Sequence, residues 1–403
     1  VLDAARRSAA VLRRDGWRVV AADLLDRASA SMRNTSQPLR TDARRQDLLA
    51  PQGATSPPTA GPGRTWTLNW VINPPSELSG GMGTLMKAVS LLEDRGHTCR
   101  LFVLYKGTRR AVERDQSVAR ARFPSVRAEL HDVDDGMPAA DGIVATAWPT
   151  AYTVRASSAS GARFYFVQDF EPWFYAASSN ASLAEETYRF GFHGVTAGPW
   201  LTQKLSREYD MTSDAFDLGV DVDCYRLGAT SGRAGVVFYA RPGTPRRGTE
   251  LGMMALELFA REHPEVDIHV VGESLNWRRS TFRFVDHGLL TPEALAALYR
   301  RCSAGLVLSL SNLSLLPAEL LACGCIPVMN DAEFTRVSCP SPFARFARAT
   351  PQALADALAD IARHEPGDDV RRAAAESVEA SSWDAVGDQL EAAFRRGLAL
   401  ALG

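Results

Sequence analysis

Residues 304–330, AGLVLSLSNLSLLPAELLACGCIPVMN, hold two short blocks of nearly unbroken apolar residues, with a polar turn and a helix-spaced stretch between them. Continuous hydrophobicity over 304–310 and 325–329 predicts strands buried on both faces, as in a parallel sheet. Residues 315–323 predict a helix, since Pro317 falls in the first turn, where a missing amide donor is tolerated, and Gly324 ends it. The unit is strand, loop, helix, parallel strand, and such units bind ligands at the loop after the strand. Glu319 is the lone acid of that apolar helix, about a turn past the loop, where an isolated acid suits a hydroxyl partner.

The same alternation recurs on both sides. Upstream, strands are predicted over 66–72, 99–105, 142–147, 163–167 and 194–197, with a helix over 85–92 ended by Gly96 and another over 199–210 that closes a first domain. A second set follows: a strand at 235–240, then 251–261, 268–271, 282–287 and 292–301 alternating helix and strand, and a helix after Thr350 and Pro351. The pattern predicts an α/β protein of two Rossmann-like domains, residues 65–215 and 216–382, followed by a long amphipathic helix within 383–403. Residues 1–30 have helical spacing broken at Gly16, and 33–64 are rich in Pro, Gly, Ser, Thr and charge, so 1–64 reads as a helical extension and linker without a core of its own.

A length of 403 residues and 46% hydrophobic content suit two cores. A formal net charge of −2 provides no global field for nucleic acid. With no apolar run near the roughly 20 residues that span a bilayer, and no long apolar core at the amino end, a soluble cytoplasmic protein is expected. The chain starts at Val1, so a preceding segment would be invisible. The cysteines are scattered; Cys302, Cys323 and Cys325 suit small buried residues, and Cys323-Gly-Cys325 is a weak metal signal.

Candidate chemistry collects at strand ends. Gly80, Gly81 and Gly83 open a helix, where amides and the helix dipole favour an anion, although a steric role is an equal alternative. In VQDFEPWFY, Asp169 and Glu171 precede Trp173, Phe174 and Tyr175, and acids beside aromatic faces bind sugars; a helix-start acid among core aromatics is the alternative. Arg241, Arg246 and Arg247 follow the 235–240 strand, and guanidinium groups suit a diphosphate, against a plain solvated basic loop. The turn after 304–310 offers Ser311, Asn312, Ser314 and Leu315, while His287 alone reads as an ordinary structural histidine.

Ala322-Cys323-Gly324 with Glu319 resembles the signature of the large retaining glycosyltransferase family 4, in which Ser311 stands where the family usually has a first Glu. With FYFVQDFEPWFY, the resemblance is closest to a rhamnosyltransferase branch using deoxythymidine-diphosphate-linked L-rhamnose, and it spans roughly residues 66 to 390. It implies the GT-B fold, with two Rossmann-like halves facing across a cleft, Gly219-Val220-Asp221 at the interdomain connection and the last helix crossing back to the first domain. It further implies retaining transfer of a sugar from a nucleotide-diphosphate donor to a hydroxyl of a glycan or lipid-linked glycan, in cell-surface polysaccharide synthesis. In that setting Arg241 and Arg247 hold the diphosphate, with Arg246 or Arg247 replacing a family Lys. The loop of Gly80, Gly81 and Gly83 lies beside the phosphates, His287 and Gly288 fall at the base-binding turn, and Glu319 binds ribose. The turn Ser311, Asn312, Ser314 and Leu315 completes the donor side, and Asp169, Glu171 and Trp173 face sugar or acceptor. No cofactor and no metal are expected. A lipid-linked acceptor would give the basic run Arg109, Arg110, Arg114, Arg120, Arg122 and Arg127 a use at the inner face of the membrane, as a peripheral contact. A nucleotide-sugar epimerase and a non-catalytic nucleotide-sugar or glycan-binding module are the competing readings; product analysis and donor turnover separate them.

Overall fold

The computed structural model describes residues 41–53, 65–75, 80–105, 111–228, 235–273 and 280–402. The helices expected over 1–30, the linker residues 33–40 and 54–64, and Arg109 and Arg110 of the basic run lie outside the described residues.

The apolar blocks form two wholly parallel sheets. The first comprises β1 (Thr67–Ile72), β2 (Thr98–Val103), β3 (Leu130–Asp132), β4 (Gly142–Ala145), β5 (Ala162–Val167), β6 (His193–Ala197) and β7 (Ser213–Phe216), in the order β3-β2-β1-β4-β5-β6-β7. The second comprises β8 (Val236–Ala240), β9 (Ile268–Gly272), β10 (Val285–Asp286), β11 (Ala304–Val307), β12 (Ile326–Asn330) and β13 (Arg345–Ala347), in the order β10-β9-β8-β11-β12-β13. Each order reverses once, between β1 and β4 and between β8 and β11, and ligands of doubly wound sheets bind at the carboxyl ends beside that reversal. The expected fold of two Rossmann-like domains is the observed one.

Two expectations are corrected. Helix Pro199–Tyr209 does not close the first domain, because the chain continues into β7, a strand whose sequence SDAF has only Phe216 fully buried and so lacks an apolar signature. Residues 43–53 are not a coreless linker. Helix Arg45–Leu49 buries Asp47, whose carboxylate accepts from Thr153 Oγ1 at 2.6 Å and from Arg44 Nε at 2.9 Å, and the Gly53 amide donates to Arg155 O at 2.8 Å.

Outgoing and returning segments run side by side between the domains: the Val220 amide donates to Ser381 O at 2.8 Å, and Gly219 lies against the Trp383 ring, where a Cβ would meet it at 2.7 Å. Helix Trp383–Leu400 then packs Val386, Leu390, Phe394 and Leu398 into the first domain's core, with the Phe394 ring 5.6 Å from Trp70 and 4.9 Å from Phe164. Four such side chains, each contributing about 1.5 to 3 kcal/mol when fully buried, tie the carboxyl end of the chain to the first domain.

Candidate functional site at the junction of the two domains

After β8 the chain runs through Arg241 and a short 3-10 turn, Pro245–Arg247, to Gly248 at φ 57, a left-handed conformation that glycine adopts without strain, and into helix Thr249–Glu262. This turn presents three guanidinium groups differently. Arg241 Nε pairs with Glu273 Oε1 at 3.2 Å, and the Gly243 amide donates to the other Glu273 oxygen at 2.9 Å. Arg246 lies over the Phe174 ring, 3.9 Å from its centroid. Arg247 donates through Nη1 to Ser309 Oγ at 3.1 Å and to Asn312 O at 3.5 Å, both neutral oxygens. Burial lowers its pKa, and Asp169 opposes that effect.

The loop after β11 meets the loops after β5 and β6 here. Asp169 Oδ1 accepts from the Asn312 amide at 2.8 Å and from the Phe170 amide at 2.9 Å, and Oδ2 accepts from Ser311 Oγ at 3.1 Å and lies 3.4 Å from Arg246 Nε. Asn312 Nδ2 donates to two first-domain carbonyls, Gln168 O and Ala197 O, each at 3.0 Å. Burial raises the Asp169 pKa, with Arg247 and Arg246 acting against it. Phe334, from helix Glu333–Ser338 of the second domain, extends the junction by packing against Trp200 at 5.4 Å and Trp173 at 6.2 Å. Asp169, Arg246, Arg247, Ser311 and Asn312 are therefore brought together directly.

The other candidates are placed around this junction. Gly80, Gly81 and Gly83 begin helix Gly80–Asp94; a Cβ on Gly80 or Gly83 would meet open space, and one on Gly81 would lie 3.5 Å from the Gln168 side chain. Ser314 precedes helix Leu316–Ala322, of which Leu315 is the cap residue, and Ser314 Oγ is buried without a partner among the described residues. Glu319, in that helix, has no hydrogen-bond partner for its carboxylate among the described residues, and burial, with Asp221 nearby, pushes its pKa up to about 7. His287 Nε2 and His269 Nδ1 share a hydrogen bond of 3.0 Å, and Gly288, at φ 59, donates to Asp286 Oδ1 at 3.0 Å. Trp173 is 44% exposed and stands beside Phe170, Trp200 and Lys204, whose Nζ is 5.2 Å from the Trp173 ring centroid.

Glu171 is corrected from a sugar-facing acid to an internal helix cap. It is buried, with Oε2 accepting from the Trp148 amide at 2.7 Å, at the start of helix Trp148–Ala156, and Oε1 accepting from Tyr165 Oη at 3.3 Å. Burial raises its pKa from the ordinary 4.5 to about 8, so the charged form is disfavoured in the folded state. Its contribution to stability is present below pH 4.5 and is lost as pH rises through about 8. Glu171→Gln keeps an acceptor for Trp148 without the charge. Its melting temperature, compared with that of the unsubstituted protein, is expected to gain from pH 5 to about pH 8 and then level off, by the equivalent of a few kcal/mol (order of magnitude). A gap independent of pH contradicts the assignment.

Sequence reasoning passed over Glu273, which holds Arg241, and Gln168, which backs Gly81 and accepts from Asn312. Both directly follow strands, in VVGES and FVQD, and that position was the available signal.

Models of the "WsaF, N-terminal domain" and "WsaF, C-terminal domain" match residues 113–197 and 234–359, together just over half of the chain. The O-antigen biosynthesis protein RfbC of Myxococcus xanthus is 32% identical over 352 residues, a match covering 81% of this chain and 27% of that protein; the chain thus spans about a quarter of the relative's length. Among solved structures, Anabaena Alr3699/HepE in complex with UDP-glucose is similar at a TM-score of 0.62 and 12% identity, over 82% of this chain and all of that one. WaaG, a glycosyltransferase involved in lipopolysaccharide biosynthesis, is similar at 0.57 and 11% identity, over 81% of this chain and 98% of its own. These likenesses show the GT-B arrangement of two facing parallel-sheet domains. The two models thus match this chain in order, the one named for the N-terminal domain on the first sheet's residues and the one named for the C-terminal domain on the second's.

Proposed function

We propose that the protein is a glycosyltransferase of polysaccharide synthesis that moves a sugar from a nucleotide-diphosphate donor to a hydroxyl of a glycan acceptor, with retention of configuration. The observation that carries this reading is the arginine turn at the reversal point of the second sheet, where Arg247, among the described residues, is hydrogen-bonded to neutral oxygens and feels the charge of Asp169 from the other domain. Planar, permanently charged donors in that position suit a diphosphate and the charge that grows on it as it leaves. Arg241 and Arg246 flank it, the amides of Gly81 and Gly83 stand at the start of their helix, and Glu319, whose carboxyl has no hydrogen-bond partner among the described residues, is assigned to the ribose hydroxyls. Ser311, Asn312, Ser314 and Leu315 shape the donor side. Trp173 at 44% exposure and Phe174 at 36% offer ring faces suited to an acceptor sugar, and Asp169 is assigned to orienting the sugar or the acceptor.

The resemblance to family 4 and to its rhamnosyl branch makes L-rhamnose the first donor to try, with front-face attack and the leaving phosphate taking the acceptor proton. The RfbC relative, named for O-antigen biosynthesis, supports a cell-surface glycan as acceptor. Arginines replace a metal in this reading because the nearby acids are engaged: Asp169 by Ser311 and Asn312, Glu171 by a helix start, Glu273 by Arg241. No helix among the described residues is long and apolar enough to cross a membrane. Contact with the inner face is assigned to helix Val112–Arg122, with Arg114, Arg120 and Arg122; Arg120 pairs with Glu129 at 3.7 Å, and Arg127, just beyond the helix, with Asp94 at 2.9 Å.

The test is transfer of labelled sugar to a glycan acceptor, with the nucleoside diphosphate released in equal amount. Chelator is expected to leave the rate unchanged. Glu319→Ala is expected to raise the donor KM by about tenfold while changing kcat little, because ribose contacts are alike in ground and transition states. Activity lost to chelator and restored by a divalent metal contradicts the arginine assignment.

A further inference from the structure

We propose that Asp169 is a tethered competitor of the diphosphate, occupying the arginine turn between turnovers and helping to expel the nucleoside diphosphate product. This rests on the glycosyl-transfer reading of the same arginines. Asp169 comes from the first domain, yet three of its contacts, Ser311 Oγ at 3.1 Å, the Asn312 amide at 2.8 Å and Arg246 Nε at 3.4 Å, belong to the second. The Phe170 amide, at 2.9 Å, is the fourth. Two amides, a hydroxyl and a guanidinium around one carboxylate are the donor types that hold a phosphate oxygen.

Charge balance in the turn points the same way. Arg241 has Glu273 as its partner, and Arg246 has Asp169. Burial, and after it the like charges of Arg246 and Arg241, lower the pKa of Arg247, and the carboxylate of Asp169 works against them. A diphosphate oxygen arriving at Arg246 meets a negative charge already in place, 8% exposed and poorly screened by water. Because the same carboxylate bonds Ser311 and Asn312, its return to the arginines also rejoins the two domains once product has gone.

Asp169→Asn retains the size of the side chain and an oxygen for the Asn312 and Phe170 amides while removing the charge. Titration calorimetry with UDP and with dTDP as probes is expected to show about tenfold tighter binding by the variant, from loss of a close like charge. Transfer kcat is expected to fall, with stronger inhibition by the diphosphate product. Unchanged or weaker diphosphate binding by Asp169→Asn overturns the competitor role and leaves the transferase reading standing; failure of the unsubstituted protein to bind either probe overturns both. Should the variant not fold, hydrogen exchange on the unsubstituted protein decides. The Asn312 and Phe170 amides are expected to exchange faster at saturating diphosphate, and unchanged or slower exchange overturns displacement of the carboxylate.

Discussion

Arg247→Ala is expected to lower kcat/KM for sugar transfer by about a hundredfold or more, because a charge-assisted bond to a leaving diphosphate is worth roughly 1.5 to 3 kcal/mol and Arg247 can make two in parallel. The fold should tolerate the change. Ser309 Oγ still donates to Asn312 O, and Ser309 N to Asn330 Oδ1 at 3.0 Å, so the loop after β11 keeps its own supports. Arg247→Lys should recover only part of the activity, since an ammonium group acts as a point charge without the planar fork. The check is steady-state transfer beside a urea unfolding curve. A variant within about threefold of the unsubstituted protein in kcat/KM places the diphosphate elsewhere.

Asn312→Ala should act through the join between domains. Its Nδ2 supplies both bonds to Gln168 O and Ala197 O, and removing it leaves two carbonyls of the first domain without that donor, at about 1 to 3 kcal/mol each where they stay buried. The donor side and the acceptor side then lose their register, and displacements near 1 Å commonly cost about a hundredfold in kcat. Nucleoside diphosphate affinity, carried by arginines of the second domain, should change far less. Calorimetry beside kcat measures the split, and equal losses in both would assign Asn312 to donor binding instead.

Long apolar strands such as β1, β5 and β8 were legible because burial on both faces imposes continuous hydrophobicity. β3, β7 and β13 were not, being three or four residues long and in part polar. The loops that meet at the junction were readable from their place after strands, and so were the arginines. What they touch was not readable: Asp169 and Asn312 are 143 positions apart, and no local pattern encodes that pair. Glu171 misled for a related reason, since an acid capping a buried helix and an acid facing a sugar have the same sequence context. Its partners Trp148 and Tyr165 became visible only with the sheet assembled. Around Asp47 the Pro- and Gly-rich composition outweighed a short helix that is held by Thr153 and Arg44.

The central claim is that the arginine turn receives the diphosphate of a nucleotide sugar, and a thermal-shift series over nucleotide-diphosphate sugars tests it most directly. A ligand at a hundred times its Kd stabilises the folded state by about 2.7 kcal/mol, which should raise the melting temperature by several degrees. The account predicts such a shift for at least one nucleotide-diphosphate sugar, dTDP-L-rhamnose first among them, undiminished by chelator and largely abolished in Arg247→Ala. No shift with any nucleotide sugar, or an equal shift in Arg247→Ala, would contradict it.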